Sequence, residues 1–345
     1  MKFLCCCVTL LLFHFSGFSQ EAPFDFIKGD SIIFADNFAH DRLDTFPSRW
    51  KLYNKYLQLT FNNRTEECFK VVSSGATKFM FNRCKSDMIP IKQLRLQDSF
   101  TLEFDCFIYP SSNLTINANF PDVPTHAHDD SWSISFTDGT TVEFATYFND
   151  AYNSARSEFK TPINWKKWHH FALSIKGQSV KIYFDDTRIL NINDCKCNTI
   201  NNALVHLFAS KEISYSNIEY TCFDIGSNFD QLRRREKLTT RAITFSAKKN
   251  SLTQTGKNYL NKLADWLNTN PEQKIEIDLW TDWTDDAEGA IMVTQERADA
   301  IAEYLEAMGV RKTQINCHGR GNCGNGKNET LEDHLNKIKT EIKLL

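Results

Sequence analysis

The sequence predicts two domains, an antiparallel β-sandwich followed by an α/β sandwich of order β-α-β-α-β-β. Three observations carry that reading. The chain has 345 residues, 41% of them hydrophobic and 13% aromatic, more than one core commonly holds. From Ser31 to about Asp224 it runs as short alternating segments with turn signals about every 8–12 residues, the mark of an all-β sandwich. After about Ala242 the apolar period lengthens to that of helices separated by strands.

The N-terminus, "MKFLCCCVTLLLFHFSGFSQ", has Lys2, an apolar run to about Phe15 and small residues at Gly17 and Ser19. That is the layout of a secretory leader, residues 1–20, cleaved after Ser19 or Gln20. The run is shorter than the roughly 20 apolar residues of a membrane helix, and no later stretch reaches that length. Cys5, Cys6 and Cys7 precede the apolar run rather than follow it, so they do not mark a lipid attachment site. Of eleven cysteines, eight follow the leader, an even number that favours disulfides in an exported chain. Cys317 and Cys323 bracket "CHGRGNC" and are candidates to close that loop. The Cys195-Lys-Cys197 spacing lacks the second paired-Cys knuckle of a zinc site. The net charge is −3, without a clustered basic face, which disfavours nucleic acid as a partner.

Residues 21–225 form the first domain. In "SFTLEFDCFIYP", Phe100, Leu102, Phe104 and Cys106 alternate with polar neighbours until Pro110. "SWSISF", "TVEFATYF" and "HHFALSIKGQSVKIYFDDTRIL" alternate in the same way, and one of His169 and His170 is expected to point into the core. Residues 226–241, with Arg233, Arg234 and Arg235 in sequence, read as a solvated linker. Residues 242–345 form the second domain. "ITFSAKKNSL" reads as strand and turn. A helix carries Tyr259, Leu263, Trp266 and Leu267 to Asn270-Pro271. "KIEIDLW" alternates Ile275, Ile277 and Leu279 inward. A second helix runs from near Ala287 to Gly309, and "TQINCHG" and "IKTEIKLL" are the last strands.

The strand ending "LWTD" delivers Asp282 to a sheet edge, and Arg297 lies two to three turns into the next helix. The pair presents an anion beside a planar fork of donors, suited to a zwitterionic tip: the guanidinium matches both oxygens of a carboxylate, and Asp takes an ammonium. The alternative is an internal salt bridge, which contributes about 0–1 kcal/mol when exposed. Asp285, Asp286 and Glu288 suit a helix start and lack the spacing of a calcium loop.

Residues 242–344 resemble the OmpA-like peptidoglycan-binding domain in "ITFSAKKNSL", with Phe245 and Leu252 at the opening spacing. Asp282 and Arg297 in "TDWTDDAEGAIMVTQERADAI" stand at the family's interval, and "GVRKTQINCHGRG" continues the likeness. The resemblance implies that Asp282 takes the ammonium, and Arg297 the carboxylate, of meso-diaminopimelate in the cell-wall stem peptide. Backbone donors around Thr281 and Trp283 complete the site. Leu279 stands where the family generally has Gly, Ala290 where Asn is usual, and Ile338-Lys339 where an Arg pair is common.

The first domain, in "DNF…FPSRWKL", "SFTLEFDCFIYP" and "WHHFALSIKGQSVKIYFDDTRILN", resembles the concanavalin/laminin-G-like jelly roll. Such sandwiches bind glycan or protein, and the fold alone does not decide which. Jelly-roll hydrolases of the laminarinase type carry Glu-x-Asp-x-x-Glu. Here Glu103 and Asp105 are followed by Ile108, so the second carboxylate is missing. His126, His128, Asp129 and Asp130 in "HAHDD" suit either a divalent metal or a polar loop. No Ser/His/Asp constellation or Gly-rich phosphate loop is present, and no cofactor or metal is expected. The strands lack the lipid-facing segments of a membrane barrel.

The sequence thus points to a non-enzymatic envelope protein of a Gram-negative periplasm or outer-membrane inner face. It is anchored to diaminopimelate-type peptidoglycan, with a sandwich that binds glycan or an envelope protein. A secreted glycoside hydrolase with a C-terminal wall anchor is the second reading.

Overall fold

The computed structural model describes residues 24–53, 69–83, 86–92, 94, 96, 99–109, 113–119, 131–137, 139–148, 151–159, 163, 167–195, 204–209, 212–223, 229–234, 237–246, 250–282, 286–324 and 330–345. The leader, the loop holding His126, His128, Asp129 and Asp130, and Trp283 and Asp285 lie outside the described residues.

The first domain contains β1 (Ser31–Asp36), β2 (Trp50–Tyr53), β3 (Phe69–Ser74), β4 (Thr77–Asn82), β5 (Ser86–Pro90), β6 (Ser99–Ile108), β7 (Leu114–Asn119) and β8 (Ser131–Thr137). It continues with β9 (Thr141–Phe148), β10 (Ala151–Glu158), β11 (His169–Lys176), β12 (Ser179–Phe184), β13 (Thr187–Ile192), β14 (Leu204–Ala209) and β15 (Ile213–Cys222). One sheet has order β13-β12-β11-β6-β15-β4-β3, with β1 also on β15. The other has order β10-β9-β8-β7-β14-β5-β2. All of these pairings are antiparallel.

The period-2 alternation builds the core. On β6, Phe100, Leu102, Phe104, Cys106 and Ile108 are fully buried, while Glu103, Asp105 and Phe107 take the other face. Facing them, β8 contributes Trp132, Ile134 and Phe136. Phe171 joins the sheets, stacking on Phe104 at 4.8 Å and meeting Phe136 edge-on at 5.8 Å. Each such side chain contributes about 1.5–3 kcal/mol by burial. His169 is the inward histidine, 3% exposed, with Nδ1 2.9 Å from Asp185.

The second domain is a four-stranded sheet of β16 (Lys237–Thr240), β17 (Ile275–Thr281), β18 (Ile315–Asn322) and β19 (Thr340–Leu344), in order β16-β19-β17-β18. Only the β17–β18 pair is parallel. Helices α1 (Gln254–Thr269) and α2 (Ala287–Ala307) bury Leu260, Leu263, Leu267, Ala298, Ile301 and Leu305 against Ile275, Ile277 and Ile342. Thr253 caps α1 by accepting from Gly256 N–H, and Asp286 caps α2 by accepting from Gly289 N–H, each satisfying an orphan donor.

Three expectations are corrected here. Residues 226–241 are not a solvated linker throughout: Phe229 and Leu232, in a 3-10 turn (Phe229–Arg233), and Leu238 are buried in the second core. Lys237–Thr240 is the edge strand, whereas "ITFSAKKNSL" supplies only an isolated Phe245–Leu252 bridge. A third helix, α3 (Leu331–Lys337), lies between the last two strands. It starts from a capping box in which Thr330 and Asp333 satisfy one another's backbone N–H groups, a device that makes one short helix viable.

The Cys317–Cys323 bridge is not formed, since Cys317 retains its thiol. Cys317 lies within β18 and Cys323 just beyond its end, with one irregularity at Gly321 between them. A strand rises ~3.3 Å per residue, which carries the two along the chain away from each other rather than into the ~4.4–6.8 Å that a disulfide spans. Cys195 is disulfide-bonded.

The domains are joined by buried polar contacts. Asn336 of α3 accepts from Ile32 N–H at 2.8 Å and donates to Ile32 C=O at 3.0 Å, completing the open edge of β1 as a neighbouring strand would. Glu332, 5% exposed, accepts from Ala35 N–H at 3.0 Å and from Arg49 at 2.5 Å. Lys28 bridges Glu103 and Glu219, and Arg241 reaches Glu219 at 3.3 Å. Ile27 and Phe223 enter the second core itself. Removing one member of such a pair strands the other. Glu332→Ala is therefore expected to cost about 2–3 kcal/mol in denaturant unfolding, and Glu332→Gln, which retains an acceptor, less.

His170 faces outward with Nδ1 2.9 Å from Asp105 and Nε2 3.6 Å from Glu103. Burial alone would lower its pKa, but the hydrogen bonds to the two carboxylates raise it from 6.5 to about 9. The charged form is the one the fold favours. Its contribution is complete below about pH 6.5 and is lost as pH rises through about 9. Thermal midpoints should fall between pH 7 and 10, and His170→Gln should flatten that decline.

Candidate functional site

The site is built at the C-terminal end of β17. Ile275, Ile277 and Leu279 point into the core. Asp278, on the other face, is 1% exposed beneath Arg320 at 2.6 Å and Lys343 at 2.7 Å. Burial opposes its ionisation, but these two cations overcome that and hold its carboxyl below the usual range. A register shift between Leu279 and Thr281 follows, and the Cys323 N–H donates to Thr281 C=O at 2.9 Å. The strand thus remains tied to its neighbour up to Asp282.

α2 is seated against β18 by an unusually close backbone approach. A Cβ on Gly319 would lie 2.2 Å from Gln295 N and 2.5 Å from Thr294 C, so only glycine fits. Gly319 N–H donates to Gln295 Oε1 at 3.0 Å, and Gly321 N–H donates to Thr294 Oγ1 at 2.9 Å. Ala290, Thr294, Ala298, Ile301 and Leu305 form the buried stripe of α2, its spacing that of a core-facing helix. Arg297 sits beside that stripe.

The Arg297 side chain runs back over the end of β17. Nε donates to Asn250 Oδ1 at 3.2 Å, Nη1 makes a long 3.5 Å contact with Thr281 Oγ1, and the guanidinium lies 5.2 Å from the centre of Phe245. Burial lowers its pKa, though a guanidinium stays charged at physiological pH. Asn250, in the left-handed region at φ 48°, also donates to Glu296 at 3.0 Å. Asp282 is open to solvent, its side chain 63% exposed, and Oδ1 lies 2.5 Å from His334 Nε2. Among the described residues Asp282 and Arg297 do not form an ion pair with each other. Arg297 thus reaches Thr281 and Asp282 follows at the end of β17, each charge oriented by other residues.

The structure places Thr281 Oγ1 against Arg297 and Asp282 next along the chain against His334. It adds Asn250, Phe245 and His334. His334 was missed because α3 was not read as a helix, and Asn250 because "KKNS" has the composition of a plain turn. Leu279 and Ala290, which replace the family's Gly and Asn, are both 3% exposed, so their side chains pack inward rather than line the rim.

A model of the OmpA family matches residues 244–338. That segment is an OmpA family domain. The peptidoglycan-associated lipoprotein from Burkholderia pseudomallei is similar at 17% identity, covering 35% of this chain and 100% of its own, with TM-score 0.28. The carbohydrate-binding module CBM66 from Bacillus subtilis is similar at 17% identity over 50% of this chain and 94% of its own, with TM-score 0.33. A family 16 endo-glucanase from Bacteroides ovatus is similar at 9% identity over 55% of this chain and 100% of its own, with TM-score 0.41. No curated protein matches the chain significantly. Within the OmpA family domain, the Gly319 contact sets where Arg297 stands. Gly319→Ala should destabilise the domain by about 1–3 kcal/mol through overpacking, seen as a lower thermal midpoint. It should also weaken any ligand that Arg297 holds.

Proposed function

We propose that the protein is a non-enzymatic envelope component, exported to the periplasm of a Gram-negative cell. Its OmpA family domain grips peptidoglycan through diaminopimelate, and its sandwich presents a binding face to glycan or an envelope protein. The observation that carries this reading is the Arg297 guanidinium oriented over Thr281, the residue that precedes the exposed Asp282. Asn250 accepts from Nε and Thr281 contacts one N–H of Nη1, so a ligand carboxylate would meet the end of the fork, with one N–H from each of Nη1 and Nη2, and bidentate geometry gives such pairs their selectivity. A carboxylate has about four lone-pair positions. His334 on Oδ1 therefore orients Asp282 without exhausting it, and the ligand ammonium binds the remaining positions. Thr281 borders both charges, and Trp283 follows in sequence.

A binding rather than hydrolytic role for the sandwich is supported by β6. Glu103 is paired with Lys28 and His170, and Ile108, where a second catalytic carboxylate would stand, is fully buried. A retaining or inverting mechanism needs two carboxyl groups facing one bond.

The exported chain should sediment with diaminopimelate-type sacculi. Asp282→Ala and Arg297→Ala should each reduce retention at least tenfold, and Arg297→Lys, which cannot present a fork, by nearly as much. Equal retention of all three variants would contradict the site.

A further inference from the structure

A second set of residues, on the outer face of the larger sandwich sheet, has the composition of a ligand site. On β6 the outward positions after Glu103 are Asp105 and Phe107, followed by Tyr109 just past the strand. On the neighbouring β11 the same face carries His170, paired in register with Asp105, and on β4, beyond β15, it carries Phe79 and Phe81. Trp168 precedes β11 and is 40% exposed. The rings form one half-exposed cluster. Trp168 meets Phe79 at 5.3 Å and Phe107 at 6.0 Å, and Tyr109 meets Phe107 at 4.9 Å and Phe81 at 5.9 Å. Ser214, the small side chain between Phe107 and Phe81 in the pairing, is buried beneath them. Contiguous apolar surface of this kind marks an interaction site.

The polar end of the cluster is oriented in advance. Asp105 accepts from Asn217 Nδ2 at 2.7 Å and lies 2.9 Å from His170 Nδ1. This orients the amide of the exposed Asn217, whose carbonyl oxygen and second N–H are an acceptor and a donor on one side chain. Asn217 stands at a bulge in β15, between Ser216 and Glu219, with φ 49°. A non-glycine residue in the left-handed region costs energy, and bulges re-aim side chains beside functional sites. Asn is among the non-glycine residues that tolerate this region, and its amide is what bonds Asp105.

We propose that this face, from Asn217 and Asp105 across Phe107 to Trp168, binds a neutral glycan chain. Sugar rings offer apolar C–H faces to aromatic rings and vicinal hydroxyls to a paired donor and acceptor. Successive outward positions on a strand are about 7 Å apart, on the scale of one sugar ring. Protein interface cores are depleted of charge, whereas here a carboxylate and an imidazole lie against the rings. Asp105 is offset by His170, and Glu103 by Lys28, so a polyanion meets no excess of positive charge. The inference rests on the reading of the sandwich as a binding module, and it is independent of the Asp282–Arg297 rim.

The test is affinity electrophoresis of the exported chain in gels containing hydroxyethyl cellulose, galactomannan or dextran, with polygalacturonate as the charged comparator. At least one neutral polymer should retard the wild type. Trp168→Ala should weaken that retardation at least tenfold, and Trp168→Phe should recover part of it. Asn217→Gly should weaken it several-fold while leaving the thermal midpoint unchanged or raised. Absence of retardation by all three neutral polymers overturns the inference, as does retardation only by polygalacturonate or equal retardation of the variants. Sedimentation of the same preparation with sacculi separates that failure from failure of the wall-binding reading.

Discussion

The close approach of β18 to α2 at Gly319 is the contact on which the wall-facing site depends. Helix and strand backbones meet there with no room for a Cβ, and Thr294 and Gln295 hydrogen-bond to the strand's own N–H groups. Because β18 pairs in parallel with β17, the same contact sets the height of α2 relative to the end of β17. Arg297, one position from the buried stripe of that helix, is consequently delivered to Thr281 and Asn250 rather than to bulk water. A long, rotamer-rich side chain is costly to order. Here Asn250, Thr281 and the Phe245 ring hold it in advance, which favours recognition over a loosely tethered charge.

The two domains do not behave as beads on a string. α3 turns Glu332 and Asn336, four residues apart and so on one helix face, toward β1 of the sandwich. His334, between them in sequence, reaches Asp282. One short helix therefore touches both the sandwich edge and the rim of the site. Lys28, Arg241, Glu103 and Glu219 form a second link, in which opposite charges are largely removed from water. Such groups are tolerable only when mutually paired, and this pairing specifies how the domains meet.

Much of this was legible in the sequence where periodicity was strong. Ile275, Ile277 and Leu279 alternate cleanly, the stripe from Ala290 to Leu305 has helical spacing, and Asp286 and Gly309 punctuate α2. That was enough to place Asp282 at the end of β17 and Arg297 on α2. The illegible parts have physical causes. The triple arginine obscured Phe229, Leu232 and Leu238, each of which packs into a core formed by residues distant in sequence. α3 has only seven residues, too few for periodicity to register, and its capping box was the available signal. The loop closure expected of Cys317 and Cys323 came from counting cysteines, but a strand extends them away from each other. Asn217 and Asn250 owe their roles to left-handed backbone conformations that no local pattern announces.

The central claim, that Arg297 and Asp282 together form a rim for a ligand bearing both charges, is tested most directly by isotope-edited NMR. The exported chain would be titrated with meso-diaminopimelate, following the Arg297 Nε–H, the Asn250 side-chain amide and the Thr281 backbone N–H. The account predicts saturable shifts at all three, absent with a ligand lacking the free carboxylate. Shifts confined to other surfaces, or none at ligand concentrations that saturate sacculus binding, would contradict it.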